Sequence, residues 1–257
     1  MDDGIARDGI KPGDVVVVTG AGGGFGRAFC KRFARAGAKI AAWELNRQAG
    51  EETVAQVKAA GGDARFFPVD LSDAAQIAAA LEQTLATCGT PYLIINNASI
   101  YPRASVIDMK VEDWERTLKI NITAPFLILR AFGPHMLKQK RGVVINIASG
   151  RAVQGAPKGA NYAASKAALL SLTKSLALEW APHVRVNAII PGVSLTAQPL
   201  ENTTPEELLE RGRKEIPLGR VGYPEDMAGL AAFMASSDAA YMTGQAVAMN
   251  GGRVLVP

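Results

Sequence analysis

Residues Asp14 to Gly26, DVVVVTGAGGGFG, decide how the rest of the chain is read. Val15 to Thr19 form a β-branched run without polar alternation, the pattern of a strand buried on both faces of a parallel sheet. A turn containing Gly20, Gly24 and Gly26 follows at once. After it, in FGRAFCKRFARAG, Phe25, Phe29 and Phe33 recur at helical spacing and Gly37 marks a stop. Strand, glycine turn and helix in that order aim backbone N–H groups and the positive end of a helix dipole at one point, which suits a pyrophosphate. The spacing from Thr19, T-G-x-x-x-G-x-G, differs from the G-x-G-x-x-G dinucleotide fingerprint, because Phe25 and Arg27 stand where that pattern needs glycine. Taken alone, the turn leaves a plain structural βα connection open.

Composition narrows the classes. The 257 residues, 48% of them hydrophobic, suit one large α/β domain or two small ones. The net charge of +4 is scattered rather than gathered into a basic block, so no nucleic-acid partner is expected. Cys30 and Cys88 are too few and too far apart for a disulfide scaffold or a zinc site, and buried thiols are expected. The opening MDDGIARDGIKPG is polar and acidic, unlike a signal peptide, and no apolar run reaches the length of a membrane span. A soluble cytoplasmic protein without a membrane partner follows as the expectation.

Residues 1–13 read as an extension ended by Pro12-Gly13, and residues 14–257 as a single domain. Strands are expected at Lys39–Trp43, Ala64–Val69, Tyr92–Ile95, Val143–Ile147, Val184–Ile190 and Ala246–Met249. Helices are expected at Gln48–Ala60, at Ser72–Thr87 with Ser72 as its cap, at Val111–Lys138 with a break near Pro125, and at Asn161–Trp180. Two more are expected at Glu201–Lys214 and Pro224–Ser236. Strands that alternate with helices specify an α/β fold, a doubly wound parallel sheet with helices on both faces.

Ligands of such sheets lie beyond the carboxyl ends of the strands. Glu44 closes the second strand 24 residues after Gly20, near the spacing at which an acid takes ribose hydroxyls. A carboxylate repels a 2′-phosphate, so Glu44 favours NAD(H) over NADP(H), while Arg47 nearby offers a phosphate partner. Tyr162 and Lys166 stand at i and i+4 in NYAASKAALLSLTKSLALEW and project from one helical face. An ammonium beside a phenol favours phenolate and makes an acid or base for use near neutral pH. Ser149, just past the fifth strand, is placed to hydrogen-bond a substrate oxygen.

These motifs together resemble those of the short-chain dehydrogenase/reductase family, over Asp14 to Gly252. The likeness rests on Thr19, Gly20, Gly24 and Gly26 of the turn, on Asp70-Leu71, on NNAS at Asn96 to Ser99, on Asn121 in KINITAPF, on Ser149 and on YAASK at Tyr162 to Lys166. PGVSLT at Pro191 to Thr196 and GRVGYPED at Gly219 to Asp226 complete it. The resemblance implies a Rossmann-fold oxidoreductase in which hydride passes between a nicotinamide and a carbinol or carbonyl carbon while Tyr162 transfers the proton. It implies that Lys166 contacts the nicotinamide ribose and lowers the Tyr162 pKa, that Ser149 polarises the substrate oxygen, and that Asn121 holds a water of a proton relay. Thr19, Gly20, Gly24, Phe25, Gly26, Glu44, Asp70, Leu71, Asn97, Ala98, Pro191, Gly192 and Thr196 would surround the dinucleotide with Tyr162 and Lys166. Two departures stand out: Ser99 replaces a glycine of the family, and Asn250 stands where the family often has aspartate.

Candidate pocket residues follow the fourth strand (Ile100, Tyr101, Arg103), Ser149 (Arg151, Val153, Gln154, Ala156) and Gly192 (Val193, Leu195, Leu200). Arg103 and Arg151 are suited to a carboxylate, sulfonate or phosphate, or alternatively face solvent. Residues 193–215 read as a substrate lid. Three functions remain in view: an NAD-dependent alcohol dehydrogenase or carbonyl reductase acting on a small molecule, an NADPH-dependent 3-oxoacyl-thioester reductase, and a non-catalytic dinucleotide sensor. Phe126, Leu127, Leu170, Leu172 and Leu176 exceed what one sheet face buries, so a homotetramer, or next a dimer, is expected.

Overall fold

A computed structural model describes residues 9–200 and 203–254. Residues 1–8 of the expected extension and Glu201 at the expected start of a charged helix lie outside them. The aliphatic runs become strands buried along their whole length: β1 (Val15–Thr19), β4 (Pro91–Asn96) and β5 (Gly142–Ile147). Around them lie β2 (Lys39–Glu44), β3 (Asp63–Pro68), β6 (Val184–Pro191) and β7 (Ala246–Met249). All pairings are parallel, in the order β3-β2-β1-β4-β5-β6-β7. The winding reverses between β1 and β4, and such a switch point opens a crevice at the strand ends.

Alternate side chains of each central strand feed two cores. Val16 and Val18 point to one face with Phe29, Phe33 and Met227, while Val17 points to the other with Ile128, Phe132 and Trp180. The first face is covered by α1 (Gly24–Ala34), α2 (Arg47–Ala59) and α10 (Pro224–Met234). The second is covered by α3 (Ala74–Thr87), α5 (Ala124–Lys138) and α7 (Ala160–Trp180). Each fully buried valine, isoleucine or phenylalanine contributes about 1.5–3 kcal/mol. A polar chain crosses the second layer: Asn96 Nδ2 donates to Asn146 Oδ1 (2.8 Å), Asn146 Nδ2 to Thr173 Oγ1 (2.9 Å), and Thr173 Oγ1 to the Leu169 carbonyl (2.8 Å). It ties β4 and β5 to α7.

Several boundaries differ from the sequence expectation. Asp73, not Ser72, caps α3, because its carboxylate accepts the N–H groups of both Ala75 and Gln76. The expected break near Pro125 falls earlier: α4 (Val111–Leu118) runs into a π-helical turn at Lys119–Thr123 that continues into α5, and Pro125 follows that turn directly, at the second position of α5. The charged helix begins at Pro205, not Glu201. It is α9 (Pro205–Glu215), started by a capping box between Thr204 and Glu207, after a one-turn α8 (Ala197–Leu200). A further turn, α6 (Arg151–Gln154), carries no apolar periodicity and was invisible in the sequence. Cys30 is buried, which pushes its thiol up to about 12, but Cys88 is only half-buried at the end of α3.

Candidate active site

The crevice at the switch point is built by backbone and small side chains. Thr19 Oγ1 accepts the N–H groups of Asn97 (3.0 Å) and Ala98 (3.1 Å), and Asn97 Nδ2 donates to the carbonyls of Thr19 (2.9 Å) and Gly20 (3.2 Å). The turn after β1 is thereby knitted to the turn after β4. Gly20 takes φ +65°, and a Cβ there would come within 3.0 Å of Ala98 Cα; a Cβ on Gly26 would lie 2.0 Å from the Gly20 carbonyl oxygen. No side chain caps α1 at Gly23, so its first-turn N–H groups and dipole face the crevice. A dinucleotide pyrophosphate fits this end.

A cavity of about 1020 Å³ runs from that turn to α7, at the upper end of the roughly 300–1,000 Å³ of small-molecule and cofactor sites. Gly20, Gly24, Phe25, Asn97 and Ala98 line one end. Ser149, Tyr162, Lys166, Pro191 and Gly192 line the rest, and Thr196 comes over the turn, where a Cβ on Gly24 would lie 3.3 Å from its Cγ2. Thr19 and Gly26 stand behind the wall and shape it. Glu44, Asp70 and Leu71 lie outside it. Glu44 is held at the end of β2 with Oε2 accepting the Gly22 N–H (2.9 Å) and Oε1 the Asn46 N–H (2.9 Å); Asp70 accepts the Ser72 N–H (2.8 Å). Arg47 pairs with Glu51 at 3.0 Å on the surface, a contact worth about 1 kcal/mol at most. Trp43, next to Glu44, turns away into the core and donates to Thr84 Oγ1.

Lys166 is 1% exposed, and its Nζ donates to the Ile147 carbonyl at the end of β5 (2.7 Å). Burial drives its pKa from 10.5 down to about 7. The same Nζ lies 5.6 Å from the Tyr162 ring centroid. Tyr162, 7% exposed, is stacked on Tyr101 at 4.2 Å and 20°, and the Arg103 guanidinium lies 4.8 Å from the other ring. Gly159 makes room for this arrangement, since a Cβ there would lie 2.4 Å from the Tyr101 hydroxyl. Ser149 Oγ accepts the Arg151 N–H (3.2 Å).

Asn121 sits in the π-helical turn with both ends of its amide engaged. Oδ1 accepts the Ile100 N–H (2.9 Å), while Nδ2 donates to the Ile100 carbonyl (3.0 Å) and to Ser165 Oγ (3.1 Å). Its side chain braces the loop after β4 against α7. Asn161 does the same from the start of α7, donating to Thr117 Oγ1 (3.0 Å) and the Pro102 carbonyl (3.2 Å). Sequence reading passed over Asn161, whose only signal is its place beside Tyr162.

Of the expected pocket residues, Ile100, Tyr101, Arg103, Arg151, Gln154 and Val193 line the cavity. Val153 does not: on the single turn of α6 it faces outward and is 52% exposed. Leu195 and Leu200 do not either, because they pack on the small core of Leu208, Ile216 and Val221. Arg116, Arg211 and Arg253 also line it, and no motif marks them. Among the described residues no helix is long and apolar enough to cross a membrane, and no cluster of potential metal ligands occurs.

Comparison with known proteins agrees with this fold. Residues 20–253 match the family described as enoyl-(acyl carrier protein) reductase. An uncharacterised oxidoreductase of Thermotoga maritima is 37% identical, over 95% of this chain and 98% of that protein. A Beutenbergia cavernae structure assigned as an NAD(P)-dependent gluconate 5-dehydrogenase, with NADP bound, superposes with a TM-score of 0.88 at 38% identity, covering 94% of this chain and 97% of that one. The 3-ketoacyl-(acyl-carrier-protein) reductase of Brucella melitensis, complexed with NADH, gives 0.86 at 33% identity, covering 94% and 98%. The chain belongs to the short-chain dehydrogenase/reductase family of NAD(P)-dependent oxidoreductases.

Proposed function

We propose that the chain is an NAD(H)-preferring dehydrogenase or carbonyl reductase that interconverts a secondary alcohol and a ketone with Tyr162 as acid and base. One observation carries the reading: Tyr162 and Lys166 are buried on one face of α7, in the wall of a cavity whose far end is an uncapped helix and glycine turn. A bound nicotinamide dinucleotide supplies or accepts the hydride. The turn at Gly20 to Gly26 receives its pyrophosphate, Asp70 and Leu71 flank the adenine side, and Pro191, Gly192 and Thr196 the nicotinamide side. The Ser149 hydroxyl donates to the substrate oxygen, and the Tyr162 hydroxyl gives that oxygen its proton in reduction and takes it back in oxidation. The charge of Lys166 favours the phenolate form of Tyr162. Asn121 holds Ser165, one residue before Lys166, and so fixes the entry of the proton relay.

The preference for NAD(H) rests on the Glu44 carboxylate, fixed by two backbone donors where a 2′-phosphate would have to approach. Residues 14–257 are taken as one catalytic domain with 193–215 as its lid, supported by the separate small core beneath α9. A homotetramer, with a dimer next, is taken from the family resemblance; of the side chains expected to support it only Phe126 on α5 is exposed, at 47%, while Leu127, Leu170 and Leu176 pack against the cores and Leu178 on α7 adds 85% exposure. The two free thiols suit a reducing cytoplasm.

Tyr162→Phe should lower turnover by roughly 10²–10⁴-fold, the usual share of a general acid or base, while leaving dinucleotide affinity intact; unchanged turnover in steady-state assays removes the assignment. Calorimetric titration should show NAD binding more tightly than NADP, and an NADP preference of about tenfold or more overturns the role given to Glu44. The pH dependence of stability follows from Lys166. Its folded-state pKa, about 7, lies below its unfolded value of 10.5, so between these values the unfolded chain binds more protons and stability rises with pH. Urea unfolding without cofactor should show this rise in the native chain, on the order of a few kcal/mol, and its loss in Lys166→Met. Equal slopes mean that the ammonium is not desolvated. Light scattering should return about four chain masses, and a monomer removes the assembly.

A further inference from the structure

Three guanidinium groups converge beside Ser149 from three separate parts of the chain. Arg151 opens α6, two residues past Ser149. Arg211 comes from α9. Arg253 is returned to the cavity by a turn in which Gly251 and Gly252 take φ +67° and +87°, and Asn250 accepts the Gly252 N–H (3.0 Å) while donating to the Val254 carbonyl (2.7 Å). Val254 in turn lies against Gly150, between Ser149 and Arg151. One carboxylate serves the group: Glu215 accepts from Arg211 (2.9 Å) and from Arg253 (2.8 Å). Arg151 makes no ion pair among the described residues.

The cluster therefore carries two unmatched positive charges at the rim of the catalytic end. Arg103 and Arg116 add more on the same cavity, against the single carboxylate of Asp113. Burial and the repulsion of Arg211 and Arg151 hold the Arg253 pKa below its usual range, with Glu215 opposing them only in part. Arginines kept together against repulsion, at the wall of a cavity rather than on a convex surface, suit a planar oxyanion that accepts paired N–H donors. The proposed pyrophosphate site does not use them, since it draws on the turn at Gly20 to Gly26 and the uncapped start of α1.

We propose that the substrate is a secondary alcohol or ketone bearing a carboxylate, sulfonate or phosphoryl group, held by Arg151, Arg211 and Arg253 while its carbinol carbon lies at Tyr162. The assignment rests on the oxidoreductase reading and narrows it to one substrate class. The aspartate-to-asparagine departure at position 250 has a structural meaning here, because its side-chain amide donates to the Val254 carbonyl and closes the turn that presents Arg253.

The test uses matched ketones that differ only at the far end: a carboxylate, its methyl ester, a sulfonate and a phosphonate, each reduced by the full chain with NADH or NADPH. At least one anionic ketone should exceed the ester in kcat/KM by roughly tenfold or more, through KM, and the ratio should fall with added salt. Which anion wins identifies the source. Arg151→Gln and Arg253→Gln should each reduce the anion-to-ester ratio by roughly tenfold, and Arg151→Lys should restore part of it. A ratio near one in the native chain, or one indifferent to these substitutions, overturns the anion site and leaves the oxidoreductase standing. If no ketone is turned over, calorimetry with succinate, sulfate and inorganic phosphate on the dinucleotide-loaded chain decides. Binding lost in Arg151→Gln supports the site, and no binding refutes it. Failure to bind either dinucleotide is the separate result that sinks the parent reading.

Discussion

The burial of one ammonium group governs the catalytic end of this molecule. Lys166 is enclosed between the end of β5 and the face of α7, its ammonium donating to the Ile147 carbonyl, with no ion pair to a carboxylate among the described residues. An ion so placed loses most of its hydration, and the cost appears as a pKa brought down to about 7. Such a position persists only if the surrounding structure cannot relax to let water in. Three connections hold the helix around it in place: the Asn146–Thr173 link in the middle of α7, Asn161 at its start, and Asn121 against Ser165 beside the lysine. The charge is then most favourable when the cavity offers it new partners, which couples the protonation of Lys166 to what binds there.

The loop after β4 is held by the same logic. Asn121 grips both backbone groups of Ile100, and Asn161 grips the carbonyl of Pro102, so Tyr101 between them is fixed from two helices. Tyr101 in turn stacks on Tyr162 and limits where the phenol ring can lie. Ser99, the departure from a family glycine, lines the cavity at the root of this loop. Asparagine suits such bracing because one side chain satisfies a donor and an acceptor at once.

Legibility in the sequence followed the range of each physical signal. Val15 to Thr19 and Val143 to Ile147 were readable because burial on both faces leaves an unbroken apolar run, and Tyr162 and Lys166 because one helical turn separates them. The π-helical turn at Lys119–Thr123 was not, since nothing local distinguishes it from continuing helix; proline at 125 drew the expected break into the following turn. Val153 and Gln154 show the limit at the site. They are adjacent on a single turn, one facing solvent and one the cavity, and four residues carry no period from which to choose. Arg211 and Arg253 lie far from any motif, and only tertiary folding brings them to Arg151.

The packing of the carboxyl-terminal turn explains how that convergence is enforced. Gly192 donates to the Met249 carbonyl (2.9 Å), and a Cβ on Gly192 would lie 2.6 Å from Asn250 Cα, so the segment after β6 and the turn after β7 are pressed together. Gly251 occupies space where a Cβ would meet Ile216 Cγ2 at 2.6 Å, which seats the same turn on the end of α9. Arg211 and Arg253 also share the Glu215 carboxylate, a half-exposed contact that adds little to this seating. Opposite charges flank the cavity: the Glu44 carboxylate lies beyond the glycine turn, outside the lining, and the guanidinium groups of Arg151, Arg211 and Arg253 line it near Ser149. On the proposed reading two ligands meet these ends separately: the dinucleotide would bring a ribose without phosphate toward Glu44, and the substrate would bring its anionic group to the guanidinium groups.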